Sequence, residues 1–471
     1  MDLISSMNTE DARTENGALA HSTTSSKLVD LFFNINAMRA CTDEQVLSKW
    51  NPAFSENALD AMRILFYSRD VRGGQGERRA FRVIIKELAN SDPDIVRKNL
   101  NLIPVYGRWD DILSLFGTSV ESDALAAIKE ALTVGKNQLC AKWMPRERSA
   151  NKIAASKIRK SLGLSPKKYR KLLSGLTNVV ESKMCDKDWG EIEFSKVPSY
   201  AMKNYRNAFA RNDPQRWAKY VENLTSGKEA VNASTLYPHD LVRQLLGGDC
   251  KQNKLLNAQW KALPNYLEGN KERVLPICDV SGSMSGTPME VSIALGLYIS
   301  ERNDGIFKNA FITFSTDPKM QYILGNSLKN RVDQLSRADW SMTTDLKKTF
   351  EVILNKAKAY RLTKEQMPTM ILILSDMQFD QACGRSGDDV TLMTGIRQQY
   401  FDAGYKIPKI TFWNLRASTD NVPVKFDKAG TALVSGYSPS ILKSLLSGNE
   451  MTPISMMNDV IGSERYRKVS V

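Results

Sequence analysis

Asp279-Val280-Ser281-Gly282-Ser283-Met284 places one carboxylate and two hydroxyls at alternating positions, directly after the apolar run Arg273-Val274-Leu275-Pro276-Ile277-Cys278. A short strand ending this way presents oxygen donors at its carboxyl end, the edge of an open α/β sheet where ligands sit. Two more segments offer donors of the same kind. Ser341-Met342-Thr343-Thr344-Asp345 precedes a predicted helix and supplies a threonine hydroxyl, and Ser375-Asp376 follows the run Met370–Leu374 and supplies a second carboxylate. Two carboxylates and three hydroxyls, completed by water, make an octahedral oxygen shell suited to Mg²⁺ or Mn²⁺ rather than zinc. An open coordination position could accept an acidic group from a partner. Ser, Thr and Asp also cap helices for ordinary backbone reasons, and for Asp279-x-Ser281-x-Ser283 alone that is the simpler account. The joint occurrence at three loops favours a metal site at Asp279, Ser281, Ser283, Thr344 and Asp376.

Alternating strands and helices are needed to bring these loops together, and residues 271–471 read that way. Candidate strands are Val274–Cys278, Ala310–Phe314, Met370–Leu374, Lys409–Trp413 and Ala432–Val434. Between and after them lie the candidate helices Met289–Glu301, Leu346–Ala359, Val390–Ala403 and Ser440–Leu446. This alternation calls for a doubly wound, mainly parallel sheet. The unbroken apolar run Met370–Leu374 fits a central strand buried on both faces. Residues 27–270 instead show apolar spacings of three and four, as in Ala58–Tyr67 and Arg79–Leu88, with breakers such as Gly73-Gly74, Pro93, Pro104, Gly107, Pro166 and Pro198 between them. Short helices over so long a span suggest HEAT-like stacked pairs, although no clean sequence period is present. Residues 1–26 are rich in Ser, Thr, Asn and Asp and read as a disordered tail.

At 471 residues with 42% hydrophobic and 25% charged residues, the chain has the composition of a soluble globular protein of two or three domains. No apolar run reaches the length of a membrane span and the N-terminus shows no signal-peptide core. Six scattered cysteines without C-x-x-C spacing point to neither zinc nor a disulfide framework, and they fit a reducing, cytoplasmic setting. The formal charge of +13 is concentrated: residues 146–219 hold 18 Lys/Arg against 7 Asp/Glu, a surplus of 11. Such a local excess is either a polyanion footprint or simply a well-solvated set of helix faces.

Within the helical half, Lys157, Arg159, Lys160, Lys167, Lys168, Arg170 and Lys171 form the densest basic stretch, with Tyr169 interleaved as a candidate stacking residue. On helices these could track an RNA backbone. An acidic protein surface or plain solvation would account for them as well. Arg72, Arg78 and Arg79 flank Gly73-Gly74, and Arg108 adjoins Trp109. Glycine N–H groups there could approach a phosphate. The plainer alternative is a glycine turn between helices with Arg–Asp/Glu pairs holding them together. Conventional catalysis has little to work with, because His21 and His239 are the two histidines and no nucleophile elbow is present.

The three-loop pattern resembles the metal-ion-dependent adhesion site (MIDAS) of von Willebrand factor A domains. Asp279, Ser281 and Ser283 match its first motif, Thr344 its threonine and Asp376 its second aspartate. Many members have glycines before the threonine, whereas this chain has Met342-Thr343-Thr344, which leaves Thr343 open beside the preferred Thr344. The chain also resembles an uncharacterised family of viruses, plants, fungi and protists. The resemblance rests on Arg69-Asp70-Val71-Arg72-Gly73-Gly74-Gln75-Gly76-Glu77-Arg78, Ile103-Pro104-Val105-Tyr106-Gly107-Arg108-Trp109-Asp110-Asp111, Pro145-Arg146-Glu147, Glu181–Cys185, Val197-Pro198-Ser199 and Ser375–Asp380. The resulting architecture is similar to the Ro autoantigen (TROVE-like) proteins, which bind small noncoding and misfolded RNA through a ring of helices.

These readings define an expected fold of α plus α/β type. It has a tail over 1–26, an all-α HEAT-like repeat domain over 27–270 and a doubly wound von Willebrand-type domain over 271–471. The expected function is that of a non-enzymatic, cytoplasmic ribonucleoprotein component. It would grip small noncoding or misfolded RNA, carry Mg²⁺ or Mn²⁺, accept an acidic residue of a protein partner at the metal, and have no membrane association. The alternatives are a metal-dependent protein-interaction scaffold and, further off, a metal-dependent phosphohydrolase.

Overall fold

The structure, a computed structural model, describes residues 12–13, 19–233, 235–247, 253–313, 318–337, 346–378, 392–416, 422–425, 427–446 and 451–471. These fall into two compact units, one drawn from Met1–Thr42 with Leu236–Gly462 and the other from Asp43–Thr235 with Ser463–Val471.

The first unit is built on a six-stranded sheet. Its strands are β1 (Val274–Cys278), β2 (Ala310–Thr313), β3 (Met320–Tyr322), β4 (Met370–Ser375), β5 (Lys409–Asn414) and β6 (Thr431–Ser435). The order across the sheet is β3-β2-β1-β4-β5-β6, with β3 antiparallel to β2 and every other neighbouring pair parallel. All residues of β1 and β4 are buried, as their continuous apolar character requires of strands covered on both faces. Helix Thr287–Arg302 packs on β1, and Gly296 permits the approach: a Cβ there would lie 2.3 Å from Cys278 Sγ. The Rossmann-like alternation expected from sequence is therefore present in this unit. The edge strand β3 was not among the expected strands; its three residues are too short and too exposed to carry an alternation signal.

Three helices from the span expected to be all-helical belong to this unit instead. Lys27–Asn34 lies against β6, where the Ser435 hydroxyl donates to the Phe32 carbonyl at 3.0 Å. Pro238–Leu246 packs on Thr287–Arg302 and contributes the Arg243–Glu290 ion pair at 2.6 Å. In Asn253–Lys261, the Trp260 indole N–H donates to Glu301 at 2.7 Å. An amphipathic period marks which face is buried but not what it is buried against, so a helical pattern alone cannot assign a helix to a unit. Part of the expected tail is also ordered. Ser26 caps Lys27–Asn34, Thr24 is buried, and His21 forms a bridge with Val422.

The second unit is helical, running from Asp43–Glu56 to Pro214–Thr225, and Ser463–Val471 packs within it. Its centre is ionic as well as apolar. Asp111 is fully buried and accepts from Arg69 Nη2 at 2.7 Å, Arg82 Nε at 2.7 Å and the Arg108 N–H at 2.8 Å. Gly107 makes room for this group, since a Cβ there would lie 2.3 Å from the Asp111 carboxylate. Asp70 receives the Arg465 guanidinium and, at 3.0 Å, the Tyr466 hydroxyl, while the Tyr466 ring packs against Tyr67 and Tyr106.

Candidate metal and nucleic-acid sites

Asp279 leaves β1 still paired to β4, its N–H donating to the Leu374 carbonyl at 2.9 Å. This places it where the sheet order reverses between β1 and β4, the crevice in which ligands of such sheets bind. Its two oxygens are held separately: Oδ1 accepts the Ser281 N–H at 2.9 Å and Oδ2 the Ser375 hydroxyl at 2.7 Å. Asp376 follows β4 and is also buried, accepting the Gln378 N–H at 3.2 Å. Met377 lies in the left-handed region at φ 66°, a conformation uncommon for a non-glycine residue, and its N–H donates to the Ser375 hydroxyl at 3.1 Å. Ser375 thus ties both aspartate loops to one strand end. It is the positioning residue that motif reading did not single out, and its place between a strand end and an aspartate was the available signal.

The electrostatics of the pair are unfavourable without a cation. Burial, and after it the charge of Asp376, push Asp279 up to about 6. Among the described residues neither carboxylate has a lysine or arginine within ion-pair distance. Ser281 and Ser283 bring their hydroxyls within 3.0 Å of each other at the mouth of the site. Hard oxygen donors around two mutually repelling carboxylates fit a small divalent cation. Among the described residues no group of three or more His, Cys, Asp or Glu side chains could hold a metal, so a cation here would rely on hydroxyls and water beside the two carboxylates. Thr343 and Thr344 lie outside the described residues.

The expected RNA-contacting residues sort into three groups. Tyr169 is a correction: it is 1% exposed, and its hydroxyl donates to the Pro145 carbonyl at 3.1 Å. With Leu173 one turn on, it forms the buried stripe of helix Pro166–Leu176, so its ring cannot stack on a base. Others are engaged in ion pairs: Lys157 with Glu121 at 2.7 Å, Arg159 with Glu147 at 2.6 Å, Arg108 with Asp110 at 2.8 Å, and Arg79 with Asp43. Arg108 also lies 4.0 Å over the Trp143 ring, and Arg72 donates to the Val105 carbonyl at 2.8 Å. These features support the plainer account of the glycine turn, in which arginines hold neighbouring segments together. Lys160, Lys167, Lys168, Arg170 and Lys171 are exposed, and among the described residues none has an acidic partner. Arg78 is exposed too, its pKa lowered by partial burial and by the nearby Arg82 and Arg108.

His239 is buried, stacked on Tyr237 at 5.6 Å and edge-on to Tyr437 at 5.4 Å. The four described cysteines, Cys41, Cys140, Cys185 and Cys278, are free thiols. Burial pushes Cys140 and Cys278 each up to about 12. Among the described residues no helix is long and apolar enough to cross a membrane.

With this geometry in hand, the chain can be placed among known proteins. Residues 14–171 and 126–270 match the family described as Domain of unknown function (DUF2828), and residues 273–468 match Domain of unknown function (DUF7788). Because the first family spans more than half of its length, the chain belongs to the DUF2828 family. It is also similar to "Uncharacterized protein L728" of Acanthamoeba polyphaga mimivirus, 32% identical over 503 residues that cover 95% of this chain and 86% of the relative.

Proposed function

We propose that the protein is a non-enzymatic RNA-binding protein whose helical unit holds RNA by its phosphates and whose α/β unit is of the von Willebrand factor A type, with a Mg²⁺ or Mn²⁺ site. The observation that carries the RNA reading is the outer face of helix Pro166–Leu176. Lys167, Lys168, Arg170 and Lys171 all point outward there, without acidic partners among the described residues. Lys167 and Lys168 occupy the first turn, where the helix dipole disfavours cations by about 0.3–1 kcal/mol each. Helix stability therefore does not account for them, and an anion at that end would be welcomed by both the backbone and the side chains.

In the α/β unit, Asp279, Ser281, Ser283 and Asp376 would hold the cation. When bound, it would supply a positive charge with an open position for a carboxylate or phosphate of a partner. The strand order and the placement of these residues support this reading, together with the resemblance of their motif to the adhesion-site pattern.

The test is binding of a small structured RNA by the full chain between 50 and 200 mM salt. A steep negative slope of log K against log salt is expected, with affinity falling by about 10³ or more if six or more phosphates are contacted. No binding at the lowest salt would overturn the proposal. The scaffold alternative predicts something different: EDTA-sensitive recovery of protein partners, lost with Asp279→Ala, and no copurifying RNA.

A further inference from the structure

The helical unit contains a cavity of about 650 Å³ apart from the lysine face. Trp189 and Tyr205 line it together with Met184. Both aromatic rings are set by the buried Phe209, which meets Trp189 edge-on at 6.4 Å and Tyr205 at 6.5 Å. Lys187 and Arg211 line it from exposed positions, and among the described residues neither has an acidic partner. Helix Ser199–Asn212 supplies both Tyr205 and Arg211. Lys187 is placed by a tight turn at φ 63° after helix Val180–Cys185. Glu181 lines the same cavity, its carboxylate fixed by the Tyr205 hydroxyl at 3.2 Å and by Lys142 Nζ at 3.2 Å.

We infer that this cavity takes the base of one unpaired nucleotide of the bound RNA, and that the base is one bearing an exocyclic amino group. The inference rests on the RNA-binding reading above and names the part of the RNA this site would hold. Aromatic side chains stack on any base, since every base has a π-face. The fixed Glu181 carboxylate is acceptor-only, so it favours the amino N–H groups of adenine, guanine or cytosine. Uracil has no exocyclic amino group, and its single N3–H is flanked by two carbonyl oxygens that would lie against that carboxylate. Lys187 and Arg211 suit the flanking phosphate, and together with Lys142 they oppose a cationic side chain that the carboxylate alone would attract. Unpaired nucleotides in loops and at ends are where single-stranded recognition of RNA usually acts.

The experiment uses the full chain with 12-nucleotide oligomers of A, C or U, and an A oligomer carrying one 2-aminopurine. The expected results are quenched 2-aminopurine fluorescence on binding and A and C oligomers held more tightly than U. Glu181→Gln should remove that preference. Tyr205→Ala should weaken binding of the A oligomer about tenfold, as loss of one stacking platform does, while Tyr205→Phe keeps the ring and the affinity. Combining Lys187→Ala with Arg211→Ala, both exposed, should make the salt slope shallower by about 0.7, the value for the one flanking single-strand phosphate. If the oligomers bind with a steep salt slope but none of these variants changes affinity and 2-aminopurine stays bright, the cavity assignment is overturned and the RNA reading stands. If no RNA binds at low salt, that reading falls and the cavity assignment with it.

Discussion

In the proposed metal site a cation would relieve the repulsion between Asp279 and Asp376, and this makes Asp376→Asn informative. Asp279 is raised from 3.8 to about 6, chiefly by burial and secondarily by Asp376. The folded chain therefore holds that proton more tightly than the unfolded chain does. For this group, metal-free stability falls as pH rises from about 4 to 6 and is level above, at roughly 1.4 kcal/mol per pKa unit. Asp376→Asn should raise metal-free stability at pH 7 by about 1 kcal/mol, since burial is the larger cause, and should abolish stabilisation by Mg²⁺. Thermal melts with and without 5 mM Mg²⁺ decide the point; stabilisation of the unmodified chain is expected, about 2.7 kcal/mol where the free Mg²⁺ is about 100 times Kd. A chain indifferent to Mg²⁺ contradicts the site. Tyr169 makes the opposite case. Tyr169→Ala should cost about 3–5 kcal/mol as a core truncation, while Tyr169→Phe should cost about 1 kcal/mol for its hydrogen bond and leave RNA affinity unchanged. Asp279, Ser281, Ser283 and Asp376 were legible because a strand end followed by oxygen donors is a local pattern. The burial of Tyr169 was legible too, in the helical spacing of Tyr169, Leu172, Leu173 and Leu176, but the four basic residues interleaved with them make the segment look like a basic run.

The strands and helices of the α/β unit were legible wherever their length let periodicity act. Leu346–Ala359 has the bounds read from sequence, and β1, β4, β5 and β6 agree within a residue or so at their ends. The short β3 and the assignment of helices to units were not, because pairing and packing partners are long-range facts. The glycine-and-arginine motifs show how a sequence feature can be read two ways and then separated by geometry. Arg69-Asp70 and Gly107–Asp111 build a buried ionic centre, so removing Asp111 strands the Arg69 guanidinium, only 2% exposed. Asp111→Ala should cost about 3–5 kcal/mol in chemical denaturation. A loss below 1 kcal/mol would mean that Arg69 finds other partners. Helix Pro166–Leu176 differs in that its cations face outward, and alanine at Lys167, Lys168, Arg170 and Lys171 should not lower stability and should raise it slightly by removing two first-turn cations.

Considered as a whole, the chain pairs a carboxylate-lined sheet edge in one unit with a surplus of cations in the other. Charge of one sign gathered over residues 146–219 raises association with polyanions and makes it sensitive to salt, whatever the fold beneath it. The direct test compares the unmodified chain with the variant carrying alanine at Lys167, Lys168, Arg170 and Lys171, each titrated with one structured RNA across the same salt series. A smaller slope for the variant, by about 0.9 per lost contact on duplex RNA or 0.7 on single strands, is the predicted result, with circular dichroism confirming an unchanged fold. Identical slopes, or no RNA bound by either protein at low salt, would contradict the account.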